Sequence, residues 1–253
     1  MIVILSPAKT LDYESVMPDV KPTQPVYSHQ AEELNKIIQP YSPGELADLM
    51  KISPQLAMLN YERNQSFMHP ETPQRPAVLA FDGDAYEGMD PYSFTEADFD
   101  FAQDHLRILS GLYGVLRPLD EVKPYRLEMG IKLPNDQGKN LYEFWSKELT
   151  SYFDNLLKND DGLLINLASE EYSKAINLKD LSKKYRIITP VFKDNRGNGL
   201  KVISFLAKKG RGMMTRYIMQ NKLTDPEDLK NFESGGYAYS EELSSENQWI
   251  FVR

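Results

Sequence analysis

The sequence predicts a mixed α/β protein that forms one compact domain over residues 1–253, with a mixed sheet and surrounding helices. Three observations predict this fold class. From Gly162 onward, short apolar stretches typical of strands alternate with stretches of helical spacing. The chain shows neither a repeated period nor a low-complexity tract, which argues against a solenoid and a TIM barrel. Apolar residues make up 41% of the 253 residues, enough to bury a substantial core in one domain.

The first part of the chain is predicted to begin with a buried strand and to continue mainly with helices. An apolar run opens the chain and ends at the turn-forming Ser6-Pro7. Ser53 is a predicted N-cap with Pro54 at the first helical position, and Thr95 with Asp98 predicts a capping box. The predicted elements are the strand Met1–Leu5, the helices Gln30–Gln39, Gly44–Met50 and Gln55–Gln65, the strand candidate Ala77–Phe81 and a helix from Thr95 to His105.

The second part is predicted to alternate helices and strands. An apolar stripe at helical spacing from Leu141 to Leu157 predicts a helix with one face in the core. The elements predicted after it are the strand Leu163–Leu167, the helix Glu170–Ile176, the strand Tyr185–Phe192, the turn Asn195–Gly199, the strand Leu200–Leu206, the helix Lys208–Asn221 and a terminal hairpin within Tyr237–Val252.

Composition excludes several kinds of chemistry. The chain has no cysteine, which excludes disulfides, zinc ribbons, thiolate-held iron–sulfur clusters and a cysteine nucleophile. The three histidines lack metal-ligand spacing and no Walker-type phosphate loop occurs, so no cofactor is predicted. No apolar run approaches the roughly 20 residues that cross a bilayer, and the first strand runs into Ser6-Pro7 without a signal-peptide core. We therefore expect a cytoplasmic protein with no membrane contact.

Charge is segregated along the chain. The whole sequence carries −8, which repels phosphate at long range. Between Tyr172 and Lys222, thirteen Lys and Arg residues accompany only Asp180 and Asp194, a balance of +11; elsewhere 16 basic and 35 acidic residues give −19. Screening over about 8 Å at physiological salt makes a polyanion respond mainly to the nearby cations. The segment therefore predicts a basic surface, with solvated helix and strand faces as the alternative.

The helix predicted over Lys208–Asn221 carries the most regular basic pattern. At about 100° per residue, four of its cations fall within an arc of about 160°, and Met213, Met214 and Tyr217 lie largely opposite. The glycines at 210 and 212 admit a close approach of either backbone or phosphate, although they weaken a helix. The four cations are Lys208, Lys209, Arg211 and Arg216.

Several strings across most of the chain together resemble a known family. They are Leu5–Thr10, Phe81–Asp84, Asp98–Gln103, Leu109–Asp120, Pro124–Gly130, Asn166–Ser169 and Ala207–Lys209. In this order they are similar to the YaaA family of peroxide-stress-resistance proteins. The resemblance implies a cytoplasmic factor that limits peroxide damage to DNA and is linked to restraint of free intracellular iron. It also implies a compact α/β fold with a basic cleft and a helix-hairpin-helix element that binds DNA.

The helix-hairpin-helix element implied by the resemblance maps best onto Leu46–Leu59. Such hairpins hold a phosphate with the N–H groups at the start of the second helix. Here the turn is Ser53-Pro54 in place of the usual glycine pair, and Pro54 has no N–H to donate. Ser53 supplies a hydroxyl and Lys51 a charge. An ordinary corner between two helices is the alternative interpretation.

Further cations at turns and on a short helix extend the predicted surface, namely Lys9, Arg117, Arg126 and Lys174. The alternative for the two arginines is an ion pair with Asp120 or Glu128. The predicted partner is duplex or distorted duplex DNA; sequence specificity and oligomeric state stay open. The complete set of predicted DNA contacts is Lys9, Lys51, Ser53, Arg117, Arg126, Lys174, Lys208, Lys209, Arg211 and Arg216.

Two other function classes compete with DNA binding. Asp82 and Asp84, with Glu87, follow a candidate strand as Mg²⁺ ligands of a phosphoryl-transfer or nuclease enzyme do, with Lys9 and Arg126 next to the developing phosphate charge. The sequence favours a DNA-binding protein that has no catalytic residues over such an enzyme. Iron sequestration is the third class. Its candidate ligands are Asp98, Asp100, Asp104 and His105, but helical spacing puts Asp98 and Asp100 on opposite sides.

Overall fold

The computed structural model describes residues 1–195, 197 and 199–253. Within these residues the chain forms one α/β domain around an eight-stranded mixed sheet, which confirms the predicted fold class. The strands are β1 Ile2–Leu5, β2 Thr10–Leu11, β3 Arg75–Pro76, β4 Phe81–Asp82, β5 Leu106–Ser110, β6 Gly114–Leu116, β7 Glu121–Val122, β8 Leu163–Leu167, β9 Arg186–Asn195, β10 Leu200–Lys201, β11 Ala238–Ser240 and β12 Gln248–Val252.

Ten α-helices surround the sheet in the described part of the chain. They are α1 Ser28–Ile38, α2 Pro43–Met50, α3 Pro54–Ser66, α4 Ala77–Ala80, α5 Asp84–Met89, α6 Glu96–His105, α7 Leu141–Lys158, α8 Glu170–Ser173, α9 Leu178–Leu181 and α10 Ser204–Asn221. Short 3₁₀ helices lie at Pro91–Ser93, Lys174–Ile176, Pro226–Asn231 and Ser234–Gly236. None of the described helices combines the length and the apolar character that crossing a membrane requires.

The strand order of the main sheet is β11-β12-β9-β8-β1-β5-β6, with β10 paired to β9. The neighbours β12, β9, β8, β1 and β5 run parallel, whereas β6, β10 and β11 are antiparallel to their partners. Every residue of β1, β5 and β8 is buried, as expected for parallel strands covered on both faces. The carboxyl ends of the parallel strands meet at one edge, which we call the carboxyl edge.

The direction of travel through the sheet reverses at β1. The chain goes from β1 to β5 on one side, and from β5 to β8 on the other side of β1. In open α/β sheets, ligands bind outside the carboxyl ends of the strands at such a reversal. The segments that leave β1 and β8, beginning at Ser6 and Ala168, therefore lie where a functional site is expected.

Two predicted strands are wrong. Ala77–Ala80 forms the short helix α4, and only Phe81–Asp82 is extended; a buried apolar run of this length has no periodicity that separates helix from strand. The predicted strand Leu200–Leu206 is reduced to β10, because α10 begins at Ser204. The predicted turn Asn195–Gly199 includes positions 196 and 198, which lie outside the described residues. The capping box at Thr95 and Asp98 and the pairing of β11 with β12 as a terminal hairpin are confirmed.

Helices α5 and α10 contact each other through their backbones. A Cβ added at Gly88 would overlap the carbonyl oxygen of Lys209, and one at Gly212 would overlap that of Ala85. A Cβ added at Gly210 would lie 2.7 Å from the ring of Phe192 on β9. The glycines of α10 therefore allow a protein backbone and a core ring to approach closely. The sequence predicts a close approach of either backbone or phosphate, and the structure shows the approach of backbone.

We expect Gly212→Ala to lower the free energy of unfolding by about 1–3 kcal/mol, because the added methyl group forces α10 away from α5. Gly44→Ala in α2 is the matched control, since nothing lies within 4 Å of its added Cβ. This control should be neutral or stabilise by up to about 1 kcal/mol through helix propensity. Urea denaturation measures both, and equal stabilities of the two variants would contradict the backbone contact.

Candidate functional site

The segments that leave β1 and β8 are tied together at the carboxyl edge. The hydroxyl oxygen of Ser6 accepts a hydrogen bond from the backbone N–H of Ser169 at 2.8 Å, and the two serine Oγ atoms are 3.2 Å apart. From α5, the hydroxyl of the buried Tyr86 donates to the carbonyl oxygen of Ser6 at 3.1 Å. These contacts hold the start of the Lys9 loop against the central strands.

One carboxylate at this edge serves two predicted cations. Glu128 Oε2 lies 2.6 Å from Lys9 Nζ, and Glu128 Oε1 accepts from Arg126 Nη2 at 2.9 Å. The Lys9 side chain is 61% exposed, whereas those of Arg126 and Glu128 are 15% and 16% exposed. Arg126 Nε is buried and has no hydrogen-bond partner among the described residues. The predicted pairing of Arg126 with Glu128 is therefore present, but it leaves donor capacity unused.

A third cation, Arg63 near the end of α3, lies within electrostatic range of both Tyr13 and Arg126. Burial lowers the pKa of the Arg63 guanidinium, and the positive charge of Arg126 lowers it further. Its side chain donates to Asn60 Oδ1 at a long 3.4 Å. Lys9, Arg126 and Glu128, which two ion pairs join, are called the edge cluster below together with Arg63, which is linked to them through its electrostatic interaction with Arg126. The formal charge of these four residues is +2.

Arg63 is absent from the predicted site because nothing in the sequence distinguishes it from an ordinary cation near a helix end. The available signal was the spacing of Ala57, Asn60 and Asn64, which puts two amides on the inward face of α3. Buried amides need polar partners, so this face indicated a polar environment.

Three of the four predicted cations on α10 form ion pairs with acids of α5 and the residue that follows it. Lys208 lies 3.9 Å from Asp84, Lys209 lies 3.8 Å from Glu87, and Arg216 lies 3.2 Å from Asp90. All six side chains are between 39% and 60% exposed. Such exposed pairs contribute at most about 1 kcal/mol each, so water and salt open them readily. Three cations of the predicted stripe thus lie beside acids, and these three pairs together carry no net charge.

Arg211 has a different environment from the other cations of α10. Its side chain is partly buried, and burial lowers the pKa of its guanidinium. Within the described residues it takes part in no ion pair. A desolvated cation without a counter-charge would be stabilised by a bound anion.

Lys208 belongs to the same neighbourhood as Lys9. Its partner Asp84 follows Gly83, and a Cβ added at Gly83 would lie 3.5 Å from Cβ of Ala8. The short strands β2 and β4 pair Thr10 with Asp82, which fixes the two loops side by side. The structure therefore brings Lys9, Arg126 and Lys208 together around one pair of loops at the carboxyl edge.

The remaining predicted residues lie elsewhere. Arg117 donates through Nε and Nη2 to the fully buried carboxylate of Asp120 at 3.2 and 3.0 Å. Lys174 Nζ lies 5.0 Å from the ring centroid of Tyr142. Arg117 thus has a structural partner in a buried carboxylate, whereas Lys174 is exposed and contacts a tyrosine ring.

The corner between α2 and α3 contains Lys51 and Ser53. Lys51 ends α2 in the left-handed conformation, with φ 54°, and its N–H bonds to Ala47. Ser53 caps α3 by accepting from the N–H of Leu56 at 3.3 Å, as its sequence position predicts. The hairpin as a phosphate-binding element stays a prediction.

Three acidic residues of the competing hypotheses form ion pairs with lysines. Asp84 and Glu87 pair with lysines of α10, and Asp82 lines a cavity of about 140 Å³ beside Tyr86. Asp98 accepts from Lys222 at 2.6 Å, and His105 Nδ1 lies 2.9 Å from the carbonyl oxygen of Met1. Across the residues described, no group of three or more acids and histidines is arranged to hold a metal ion.

Comparisons with known proteins cover almost the whole chain. The family model described as peroxide stress protein YaaA matches residues 1–243. A UPF0246 protein of Hahella chejuensis is 50% identical over 256 aligned residues, which cover 100% of this chain and 99% of that protein. UPF0246 proteins of Teredinibacter turnerae and Tolumonas auensis are 48% and 47% identical, with 100% of this chain and 99% and 98% of the relatives covered.

We expect Arg117→Met to lower the free energy of unfolding by about 1–2 kcal/mol, because buried Asp120 loses two charged hydrogen bonds and keeps those from Thr23 and the backbone. Lys174→Met should stay within about 0.5 kcal/mol of the parent protein. Urea denaturation measures the difference, and titration with duplex DNA should give unchanged affinity for Arg117→Met. Unchanged stability with weakened DNA binding would place Arg117 in the interface.

Proposed function

We propose that this chain, which belongs to the peroxide stress protein YaaA family, binds DNA along its carboxyl edge during the response to hydrogen peroxide. Bound protein would cover DNA that peroxide would otherwise damage. The link to limiting free intracellular iron and the cytoplasmic location follow from the family resemblance and form part of the proposal.

The observation that carries the proposal is the convergence of cations from distant parts of the sequence. Lys9 follows β1, Arg126 follows β7, and Arg63 comes from α3, yet all three lie in the edge cluster. A DNA backbone presents one negative charge about every 1.7 Å of helix axis, so it is attracted by cations held at a common surface. Half-buried guanidinium groups are suited to phosphate oxygens because they are weakly hydrated and have fixed donors.

The ion pairs between α5 and α10 extend this surface. Lys208 and Lys209 are half exposed, and their nitrogens lie 3.8 to 3.9 Å from the acids. An incoming phosphate can exchange for these carboxylates at little free-energy cost, because exposed pairs are weak. The acids remain nearby, however, so binding should be moderate and strongly weakened by salt.

The overall charge of −8 is a second reason to expect moderate, salt-sensitive DNA binding. Long-range steering of DNA towards the protein is unfavourable, and attraction acts only within about one Debye length. Affinity should therefore fall linearly with salt on a double-logarithmic plot, with a slope that reports the number of phosphates contacted.

We expect the double variant Lys208→Gln with Lys209→Gln to bind duplex DNA about tenfold more weakly at 0.1 M salt and to show a salt slope smaller by about 1–2. Fluorescence anisotropy with a labelled 20-base-pair duplex measures both quantities. The substitutions remove charge without reversing it, so Asp84 and Glu87 keep a polar neighbour and the fold is preserved.

The matched control is Lys183→Gln with Lys184→Gln. These two lysines are also adjacent, exposed and paired with acids, Asp180 and Asp154. They precede β9 and so lie at the opposite, amino edge of the parallel strands. Both double variants change net charge by the same amount. Equal losses of affinity would show that binding depends on total charge and would contradict an interface at the carboxyl edge.

A further inference from the structure

We propose that the edge cluster is a binding subsite for a phosphate monoester. When no phosphate is bound, the carboxylate of Glu128 lies where the phosphate would bind. This subsite rests on the proposed DNA binding, because DNA binding makes the source of the phosphate a DNA end. A free nucleotide is the other possible source. The ligand chemistry common to both sources is a terminal phosphate group with a charge near −2.

The geometry of Glu128 matches that of a bound phosphate. Its two carboxylate oxygens lie 2.6 Å from an ammonium nitrogen and 2.9 Å from a guanidinium nitrogen, which are the distances of charge-assisted bonds to an oxyanion. The backbone that carries it is closely packed, because a Cβ added at Gly111 would overlap the carbonyl oxygen of Leu127. A side-chain rotation of Glu128 would separate its carboxylate from both cations.

The donors around Glu128 exceed what its carboxylate satisfies. Arg126 Nε is buried without a partner in the described part of the protein, and Arg63 makes one long hydrogen bond to Asn60. The two guanidinium groups repel each other, and burial disfavours the charge on Arg63. A ligand with more oxygens and more negative charge than a carboxylate would relieve both conditions.

Charge favours a terminal phosphate over an internal one. A phosphate monoester carries about −1.5 to −2 at pH 7 and has three strong acceptor oxygens. A backbone diester carries −1, the same charge as the carboxylate it would have to displace. Against a cluster of cations, the monoester therefore displaces Glu128 more readily than a backbone diester does. The subsite accordingly selects DNA ends with a phosphate, such as strand breaks, over continuous duplex.

The test compares three DNA probes of equal length: a duplex with 5′-phosphates, the same duplex with 5′-hydroxyls, and a duplex closed by hairpin loops at both ends. Adenosine monophosphate serves as the free-nucleotide probe. The parent protein should bind the phosphorylated duplex at least threefold more tightly than the other two DNAs. The measured quantity is this ratio of affinities, because a change in the overall charge of the protein affects its binding of all three DNAs alike.

Glu128→Gln and Arg126→Gln form a matched pair of variants, since each removes the same ion pair between these two residues. Glu128→Gln should raise the preference for the phosphorylated end severalfold, because the competing charge is gone. Arg126→Gln should reduce the ratio to about one. A purely structural role of the ion pair would move both ratios in the same direction. Glu128→Gln alone keeps the test decisive if Arg126→Gln does not fold.

Equal binding of all three DNAs, in the parent protein and in Glu128→Gln, would overturn the subsite and leave the proposed DNA binding standing. Failure to bind any DNA would overturn the proposed function. In that case binding of adenosine monophosphate, tightened by Glu128→Gln, would support a phosphate subsite that serves a nucleotide. Absence of binding by this probe as well would overturn the subsite.

Discussion

The backbone contact between α5 and α10 is the constraint on which the arrangement of charge depends. Gly88 and Gly212 bring the helices closer than any side chain would allow, so the polar residues that flank the contact must pair across it. Lys208, Lys209 and Arg216 therefore meet the acids of Asp84–Asp90. The same contact places the start of α10 beside the loops that leave β1 and β4, where the edge cluster lies.

Local chemistry made much of the fold predictable. The first strand, the capping box of α6 and the apolar face of α7 depend on neighbouring residues, and each follows its pattern. The conformations of Ala77–Ala80 and of the segment after β10 were predicted wrongly. Short apolar runs have no hydrophobic period that separates helix from strand, so tertiary contacts decide their conformation. Helix α10 begins four residues earlier than predicted.

The candidate site was predictable in part for the same reason. Lys9 and Arg126 stand at turns after strands, and the sequence already offered Glu128 as a partner. Arg63 was not among the predicted residues, because its burial and its electrostatic relation to Arg126, 63 positions away, depend on the tertiary fold. The excess of +11 between Tyr172 and Lys222 also misleads when taken alone, since several of its cations pair with acids from outside the segment.

DNA phosphate held at the carboxyl edge should protect backbone amides there, and amide hydrogen exchange with and without excess duplex DNA measures this protection. We expect slower exchange in Ser6–Thr10, Arg126–Gly130 and the first turns of α10 when DNA is bound, with little change in α9 at the amino edge. Protection confined to the amino edge, or to the α2–α3 corner, would contradict this expectation.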